Sequence, residues 1–220
     1  MHSELDTVAF AVNPEPRCAC LLVLDVSGSM DGERIAALNE GLQVFQDALR
    51  SDELAAKRVE VGILTFGGSV RTVQDFVTAD QFAAPTLTVT GDTPMGAAVE
   101  QGLDMIEARK RAYNDNGIAY FRPWLFLITD GAPTDSPEIW QSAARRAAQA
   151  DRDKKVAFFT VGVSGADLGV LAQFSERRPN QLNGLNFKEM FVWLSRSTQA
   201  VAHSQPGDQV ALDPAKDWVV

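Results

Sequence analysis

Three stretches of the chain consist almost entirely of apolar residues, and two of them end at an aspartate. They are CACLLVLD (18–25), WLFLITD (124–130) and VAFFTVGV (156–163). Continuous apolar runs of this length are typical of β-strands that are buried on both faces of a parallel sheet. We therefore predict three central strands, the first ending at Asp25 and the second at Asp130.

Between and after these runs, apolar residues recur at spacings of three and four, which is the period of an amphipathic helix. One stripe follows the first strand, one follows GDTPMG and one lies near the C-terminus: Ile35, Leu38, Leu42, Phe45 and Leu49; Met95, Val99, Leu103 and Ile106; Phe187, Met190, Phe191 and Leu194. The pattern thus predicts strands that alternate with helices.

Residues that favour helix ends mark the boundaries of two of these helices. Thr93 can cap the helix that follows GDTPMG, Pro94 fits its first position, and Gly117 can end it. Ser136 and Pro137 form the same pair at the start of SPEIWQSAARRAAQA. We therefore expect helices to begin close to Pro94 and to Pro137.

The segment RVEVGILTFGGSVRTVQDF contains two β-rich runs joined by Gly67 and Gly68. A glycine pair suits the positive φ angles of a two-residue hairpin turn. Strands alternating with helices at the spacing seen elsewhere imply a mostly parallel sheet covered on both faces. We predict an α/β fold of the three-layer, doubly wound, Rossmann-like type, with this hairpin as an antiparallel edge.

A single domain over residues 1–220 is expected, because a chain of 220 residues can bury one sizeable core. The core should cover about residues 18–203, and the apolar residues of the tail, 204–220, suggest that it folds back onto the core. An uninterrupted apolar run of about 18 residues is lacking, as is a secretion-signal pattern in MHSELDTVAF. We therefore expect a cytoplasmic protein.

The net charge and the cysteines exclude several classes of partner. A formal charge of −9 repels phosphates, which argues against binding to nucleic acid or to an anionic membrane surface. Cys18 and Cys20 stand at alternate positions, where a disulfide would be strained, so we predict reduced thiols packed beside a strand. A zinc site would need a second cluster of Cys or His, which the sequence lacks.

The two strand-end aspartates are the centre of the predicted chemistry. In an open parallel sheet, ligands bind beyond the carboxyl ends of the strands, where the strand order reverses. If their strands are neighbours there, Asp25 and Asp130 lie on the order of 5 Å apart plus side-chain reach, and they repel unless a proton or cation separates them. Ser27, Ser29 and Thr93 would add hydroxyl oxygens. This all-oxygen set matches Mg²⁺, with Mn²⁺ or Ca²⁺ as alternatives.

These residues also carry a resemblance to a known family. DVSGS (25–29), the threonine of GDTPMG and the aspartate of TDG (129–131) together resemble the metal-ion-dependent adhesion site (MIDAS) of von Willebrand factor A (VWA) domains. The resemblance implies the VWA fold, with Ser27, Ser29 and Thr93 binding the ion directly and Asp25 and Asp130 binding it directly or through water. A partner's Asp or Glu would then complete the coordination.

Longer stretches are similar to the TerY-type VWA proteins of bacterial tellurium-resistance gene clusters. They include LDVSGSMDGERIAALNEGLQVFQDALRSD, TGDTPMGAAVEQGLDMIE, RPWLFLITDGAPTD and LNGLNFKEMFVWLSRSTQAVAHS. This similarity implies a cytoplasmic, metal-dependent interaction module that acts in stress responses with a protein kinase and a PP2C-type phosphatase.

Other interpretations of the same residues remain open. Taken singly, Asp25, Ser27 and Ser29 could serve only to cap or turn the chain at a helix entrance. A phosphatase with Asp25 as nucleophile would need a nearby general acid or base, and Ser27 is a poor one. A serine hydrolase would need G-x-S-x-G, and His2 and His203 lie near the termini. We predict a binding protein and not an enzyme, with a metal-dependent phosphohydrolase and a metal-independent scaffold as alternatives.

Overall fold

The computed structural model describes residues 10–220, so that residues 1–9 of the predicted domain, with His2, lie outside the described part. The strands are β1 (Cys18–Asp25), β2 (Val59–Gly67), β3 (Ser69–Thr78), β4 (Trp124–Thr129), β5 (Ala157–Gly162) and β6 (Asn180–Gln181). The helices are α1 (Glu33–Arg50), α2 (Glu53–Arg58), α3 (Met95–Asp115), α4 (Pro137–Arg152), α5 (Leu168–Leu171) and α6 (Phe187–Ala202), with a 3₁₀ turn at Gly28–Met30.

The strands form one six-stranded sheet in the order β3-β2-β1-β4-β5-β6. All neighbouring pairs are parallel except β2 and β3, which form an antiparallel hairpin at one edge. The predicted α/β class, the mostly parallel sheet and the antiparallel edge are therefore confirmed.

Helices cover both faces of the sheet because the central strands are apolar on both sides. In β1, Leu22 and Leu24 belong to the core that contains the apolar stripes of α1 and α6. Leu21 and Val23 point the other way, into the core that contains the stripes of α3 and α4. Side chains alternate between the faces of a strand, so a continuous apolar run fills two cores at once.

Helix α3 begins later than the sequence predicts. Its first residue is Met95, so Pro94 takes the N-cap position and Thr93 lies outside the helix. The backbone of Thr93 is held by a neighbouring loop: its N–H donates to Thr134 Oγ1 at 3.0 Å, and its carbonyl accepts from the Thr134 N–H at 2.9 Å. These bonds keep Thr93 in the loop at the carboxyl edge of the sheet.

The hairpin turn is shorter than the two glycines suggest. Gly67 pairs with Ser69, which leaves Gly68 alone at the turn with φ of 65°. Gly67 is needed for a different reason, since a Cβ there would lie 2.4 Å from the carbonyl oxygen of Thr90 and 2.7 Å from that of Val26. The first glycine allows close packing of the backbone and the second allows the positive φ.

Cys18 and Cys20 are buried free thiols in β1. Burial, with a smaller contribution from the charge of Glu60, raises the pKa of Cys18 to about 12. The thiolate is the form that binds metals, so this burial argues against metal binding by the pair.

The C-terminal tail packs against the core. Trp218 is 1% exposed, and its ring centroid lies 5.4 Å from that of Trp193 on α6. The backbone N–H of Asn183 donates to the Trp218 carbonyl at 2.8 Å, and Leu182 and Val219 form an antiparallel bridge. Within residues 10–220, no helix combines the length and the apolar character needed to cross a membrane.

Candidate metal centre

The strand order reverses between β1 and β4, and the predicted site residues lie at the carboxyl end of this pair. From β1 the chain continues to β2 on one side, while β4 and β5 follow on the other. Leu24 is opposite Ile128 in the register, Asp25 is the last residue of β1, and Asp130 directly follows β4. This is the place where open α/β sheets bind ligands.

A chain of hydrogen bonds connects the DVSGS loop to Asp130. The hydroxyl oxygens of Ser27 and Ser29 are 3.1 Å apart, and the Ser29 hydroxyl donates to Asp130 Oδ1 at 2.7 Å. The Ser27 N–H donates to Asp25 Oδ1 at 2.8 Å. The structure therefore brings four of the five predicted residues into direct contact, although Ser29 and Asp130 are 101 positions apart.

Thr93, the fifth predicted residue, lies beside this group. It is 6% exposed, and its hydroxyl oxygen is 3.9 Å from the point where a Cβ on Gly131 would stand. Gly131 immediately follows Asp130 in the chain. The Thr93 hydroxyl therefore lies within van der Waals reach of the loop that carries Asp130.

Asp25 is a buried carboxyl held by neutral donors. Asp25 is fully buried, and its Oδ2 accepts a hydrogen bond from the Thr129 hydroxyl. Burial raises the pKa of Asp25; hydrogen bonds from Ser27 and Thr129 oppose this shift, and the charge of Asp130 adds to it. Burial therefore disfavours the ionised form of Asp25, and a cation beside the carboxylate would stabilise that form.

Arg34, which the sequence analysis did not single out, contacts two of the site residues. Its Nη1 donates to Asp130 Oδ2 and, at 2.9 Å, to the backbone carbonyl of Ser29. Arg34 is the second residue of α1, where the helix dipole disfavours a positive charge. The one clue to this contact in the sequence is that Arg34 is a basic residue in the first turn of a helix, where a positive charge is unfavourable without an acidic partner.

Backbone contacts tie together the loops that carry the site. The Gly28 N–H donates to the Gly91 carbonyl at 3.0 Å, and the Gly68 N–H donates to the Asp92 carbonyl at 2.8 Å. Asp135 accepts from the Gly96 N–H at 2.7 Å and so caps α3 from the loop that follows β4. A cap that a distant loop supplies has no local signature in the sequence.

The donor set fits a small divalent cation. Mg²⁺ is held octahedrally at about 2.1 Å, which places neighbouring oxygens about 3 Å apart. The separations of 3.1 Å between the two serine hydroxyls and 2.7 Å from Ser29 to Asp130 are close to this value. Over residues 10–220 no group of three or more His, Cys, Asp or Glu could hold a metal. A cation here would depend on hydroxyl oxygens and water as much as on the two carboxylates.

Comparison with protein families gives one match. A profile described as the von Willebrand factor type A domain matches residues 21–191, well over half of the chain. The matched range contains all five predicted metal ligands. No curated protein matches the sequence.

Several solved structures have a similar fold. The pilus adhesin SpaC from Lactobacillus rhamnosus GG, in an open conformation, has a TM-score of 0.65 and 16% identity over 85% of this chain and 30% of its own. The vWF domain of the type V pili tip protein Mfa5 from Porphyromonas gingivalis has a TM-score of 0.62 and 10% identity over 89% and 99%. The manganese-loaded TRAP protein of Plasmodium vivax has a TM-score of 0.54 and 15% identity over 81% and 73%. At these identities the likeness concerns the fold alone, and this chain spans less than a third of SpaC.

Proposed function

Because the chain belongs to the von Willebrand factor type A domain family, we propose that it is a metal-dependent protein-recognition module. Domains of this family serve as metal-dependent adhesion and interaction modules. The proposed ligands are Asp25, Ser27, Ser29, Thr93 and Asp130. The observation that carries this assignment is the continuous contact from Ser27 through Ser29 to Asp130, which joins two distant segments at the carboxyl edge of the sheet.

Each residue has a distinct part in this function. The hydroxyl groups of Ser27, Ser29 and Thr93 supply neutral oxygens, while Asp25 and Asp130 supply the negative charge. Thr129 fixes the Asp25 carboxylate through its hydroxyl and so acts as a positioning residue. A bound divalent cation would supply a Lewis-acidic point, and two carboxylates would leave the site close to neutral, so that an Asp or Glu of a partner is still attracted.

The proposed cellular setting rests on the sequence resemblance alone. Similarity to TerY-type proteins favours a bacterial stress or tellurium-resistance system in the cytoplasm, with a protein kinase and a PP2C-type phosphatase as partners. Mg²⁺ is the proposed ion, on the grounds of its preference for few carboxylates and several neutral oxygens. The manganese bound by the TRAP protein supports Mn²⁺ as a substitute.

We propose recognition and not catalysis because no histidine of the described residues lies at the site to act as a general acid or base. His203, the single histidine among residues 10–220, lies with its Nε2 2.9 Å from Asp52 Oδ2 at the start of α2 and not with the proposed ligands. A metal-dependent phosphohydrolase, in which the cation polarises a phosphate, is the rival of another class. Turnover of phosphate esters that disappears in Asp25→Ala and Asp130→Ala would favour that rival.

Calorimetric titration with Mg²⁺ and Mn²⁺ tests the metal site. We expect Asp25→Ala and Asp130→Ala to weaken binding by at least about tenfold, which corresponds to about 1.4 kcal/mol. Asp31→Ala is the matched control, because Asp31 is an exposed acid in the same loop with no proposed role as a ligand. An absence of binding in the wild type, or equal binding by all four proteins, would refute the proposal.

Affinity capture tests the recognition step. If a partner carboxylate binds the ion, capture of the main partner should be lost in chelator and in Thr93→Ala, and it should survive in Asp31→Ala. Retention of the partner under both treatments would favour the metal-independent scaffold.

A further inference from the structure

Arg34 places a positive charge in direct contact with the proposed ligands. Its Nη1 contacts Asp130 Oδ2 and, at 2.9 Å, the carbonyl oxygen of Ser29. The Asp130 side chain is fully buried, whereas that of Arg34 is 32% exposed. The pair therefore joins a fixed, buried carboxylate to a guanidinium at the rim of the site.

The carboxylate of Asp130 is fully engaged in this arrangement. Oδ1 accepts from the Ser29 hydroxyl at 2.7 Å, and Oδ2 accepts from Arg34. A divalent cation that takes Asp130 as a ligand, directly or through water, draws on the same negative charge. The Asp130 carboxylate consequently cannot pair fully with both the Arg34 guanidinium and the cation.

From this geometry we infer that Arg34 is an internal competitor of the metal, pairing with Asp130 when the ion is absent and giving way when it binds. The inference rests on the proposed metal site. An unpaired buried carboxylate is costly, so Arg34 stabilises the metal-free site. Its partly exposed side chain and its place in the first turn of α1, against the helix dipole, make it able to leave. Arg34 therefore sets the metal concentration at which the site fills.

Substitution of Arg34 tests the competition directly. We expect Arg34→Gln to bind Mg²⁺ and Mn²⁺ about tenfold more tightly in calorimetric titrations, the equivalent of about 1.4 kcal/mol. Arg71→Gln is the matched control. Arg71 is an exposed arginine on β3, and in the strand register it lies opposite Thr65, near the carboxyl end of β2. That variant removes the same charge from the same edge of the sheet and should change the Kd by less than about twofold, as expected for screened surface charges.

Thermal unfolding gives a second readout, which does not depend on the affinity measurement. In chelator, Arg34→Gln should unfold at a lower temperature than the wild type, because Asp130 loses its counter-ion. Saturating Mg²⁺ should raise the Tm of Arg34→Gln more than that of the wild type. A residue that only stabilises α1 would lower the Tm equally with and without the ion.

Equal or weaker metal binding by Arg34→Gln would overturn the inference, as would an equal gain in Arg71→Gln. Failure of the metal site itself has a different signature. In that case the wild type, Arg34→Gln and Arg71→Gln would all give no heat of binding, and the competition would be refuted together with the site on which it acts.

Discussion

At the scale of single residues, two buried carboxyl groups show how a structural acid differs from a candidate ligand. Glu60 is 1% exposed and lies against Arg17 at 3.0 Å and Arg109 at 2.7 Å, so its charge is neutralised within the fold. Asp25 is fully buried but is held by the Ser27 amide and the Thr129 hydroxyl. Neutral donors orient a carboxylate without cancelling its charge, which leaves that charge for a ligand.

Asparagine at position 25 should stabilise the metal-free protein near neutral pH. The folded state raises the pKa of Asp25, so the wild type loses stability as the pH rises from the usual aspartate range to the raised value, and asparagine does not ionise. In chelator at pH 7 we expect Asp25→Asn to have the higher Tm, where about 2–4 °C corresponds to each kcal/mol in a domain of this size. The difference in Tm between Asp25→Asn and the wild type should disappear below a pH of about 4, the ordinary pKa of aspartate.

Thermal unfolding over this pH range, monitored by circular dichroism, measures the difference. The exposed Asp31 provides the control, since Asp31→Asn should alter stability by no more than about 0.5 kcal/mol, as is usual for surface substitutions. A lower Tm for Asp25→Asn than for the wild type at pH 7 would contradict the electrostatic account.

The sequence predicted that Asp25 and Asp130 share one edge of the sheet, but it did not predict the contacts that surround them. Asp25 and Asp130 end apolar runs, and parallel strands bring such ends to one edge of the sheet, so their proximity was predicted on the condition that their strands are neighbours, as β1 and β4 are. The contact between Arg34 and Asp130 spans 96 positions and depends on how α1 is oriented over the sheet. No local pattern encodes that orientation, and the position of Arg34 at a helix start was the sole hint.

At the scale of elements, the start of α3 is built by two separate parts of the chain. Thr93 is bound to Thr134 by two hydrogen bonds, and the first turn of the helix donates to Asp135 through Gly96. A helix leaves its first amides unsatisfied, and here a carboxylate from the loop after β4 satisfies one of them. The cap therefore also positions the loop that carries Asp130.

Asp135→Ala should cost about 1 kcal/mol in the free energy of unfolding, the usual value for a lost helix cap. Asp135→Asn keeps an acceptor oxygen and should cost less. Urea denaturation in chelator measures both variants, with Asp92→Ala as the control, because Asp92 is an exposed acid just before the same helix. Equal stability of Asp135→Ala and Asp92→Ala would show that the cap is energetically unimportant.

Element prediction succeeded where a periodic pattern was long enough. The stripes of α1, α3 and α6 lie within the observed helices, and the apolar runs coincide with β1, β4 and β5 except for the terminal residues Asp130, Val156 and Val163. Helix α2 was not predicted, since its six residues are too few to show a stripe and it is recognisable mainly by Asp52, which caps Leu54 and Ala55. The start of α3 was misplaced because tertiary bonds to Thr134 override the local preference of Thr-Pro.

At the scale of the whole molecule, the tail contributes to the core from the far end of the chain. Trp218 is 1% exposed and packs beside Trp193, while Val220 at the terminus is 81% exposed. Large aromatic side chains contribute strongly to core stability. The tail thus combines a buried anchor at Trp218 with an exposed side chain at Val220.

Trp218→Ala should lower the free energy of unfolding by about 3–5 kcal/mol, the range for removal of a buried aromatic side chain. Val220→Ala is the matched control and should be neutral. Guanidinium denaturation of both variants, followed by tryptophan fluorescence and by circular dichroism, measures the change. A cost below about 1 kcal/mol for Trp218→Ala, typical of exposed sites, would mean that the tail is only loosely attached.

The bridge between Leu182 and Val219 lies at the β6 edge of the sheet. Strand β6 has only two residues, and the Val220 N–H donates to the Gln181 carbonyl at 3.0 Å. The tail therefore occupies backbone groups that would otherwise be open to pairing. Unpaired strand edges are templates for association between chains. By covering this edge, Val219 and Val220 leave fewer backbone groups of the sheet open to pairing with another copy.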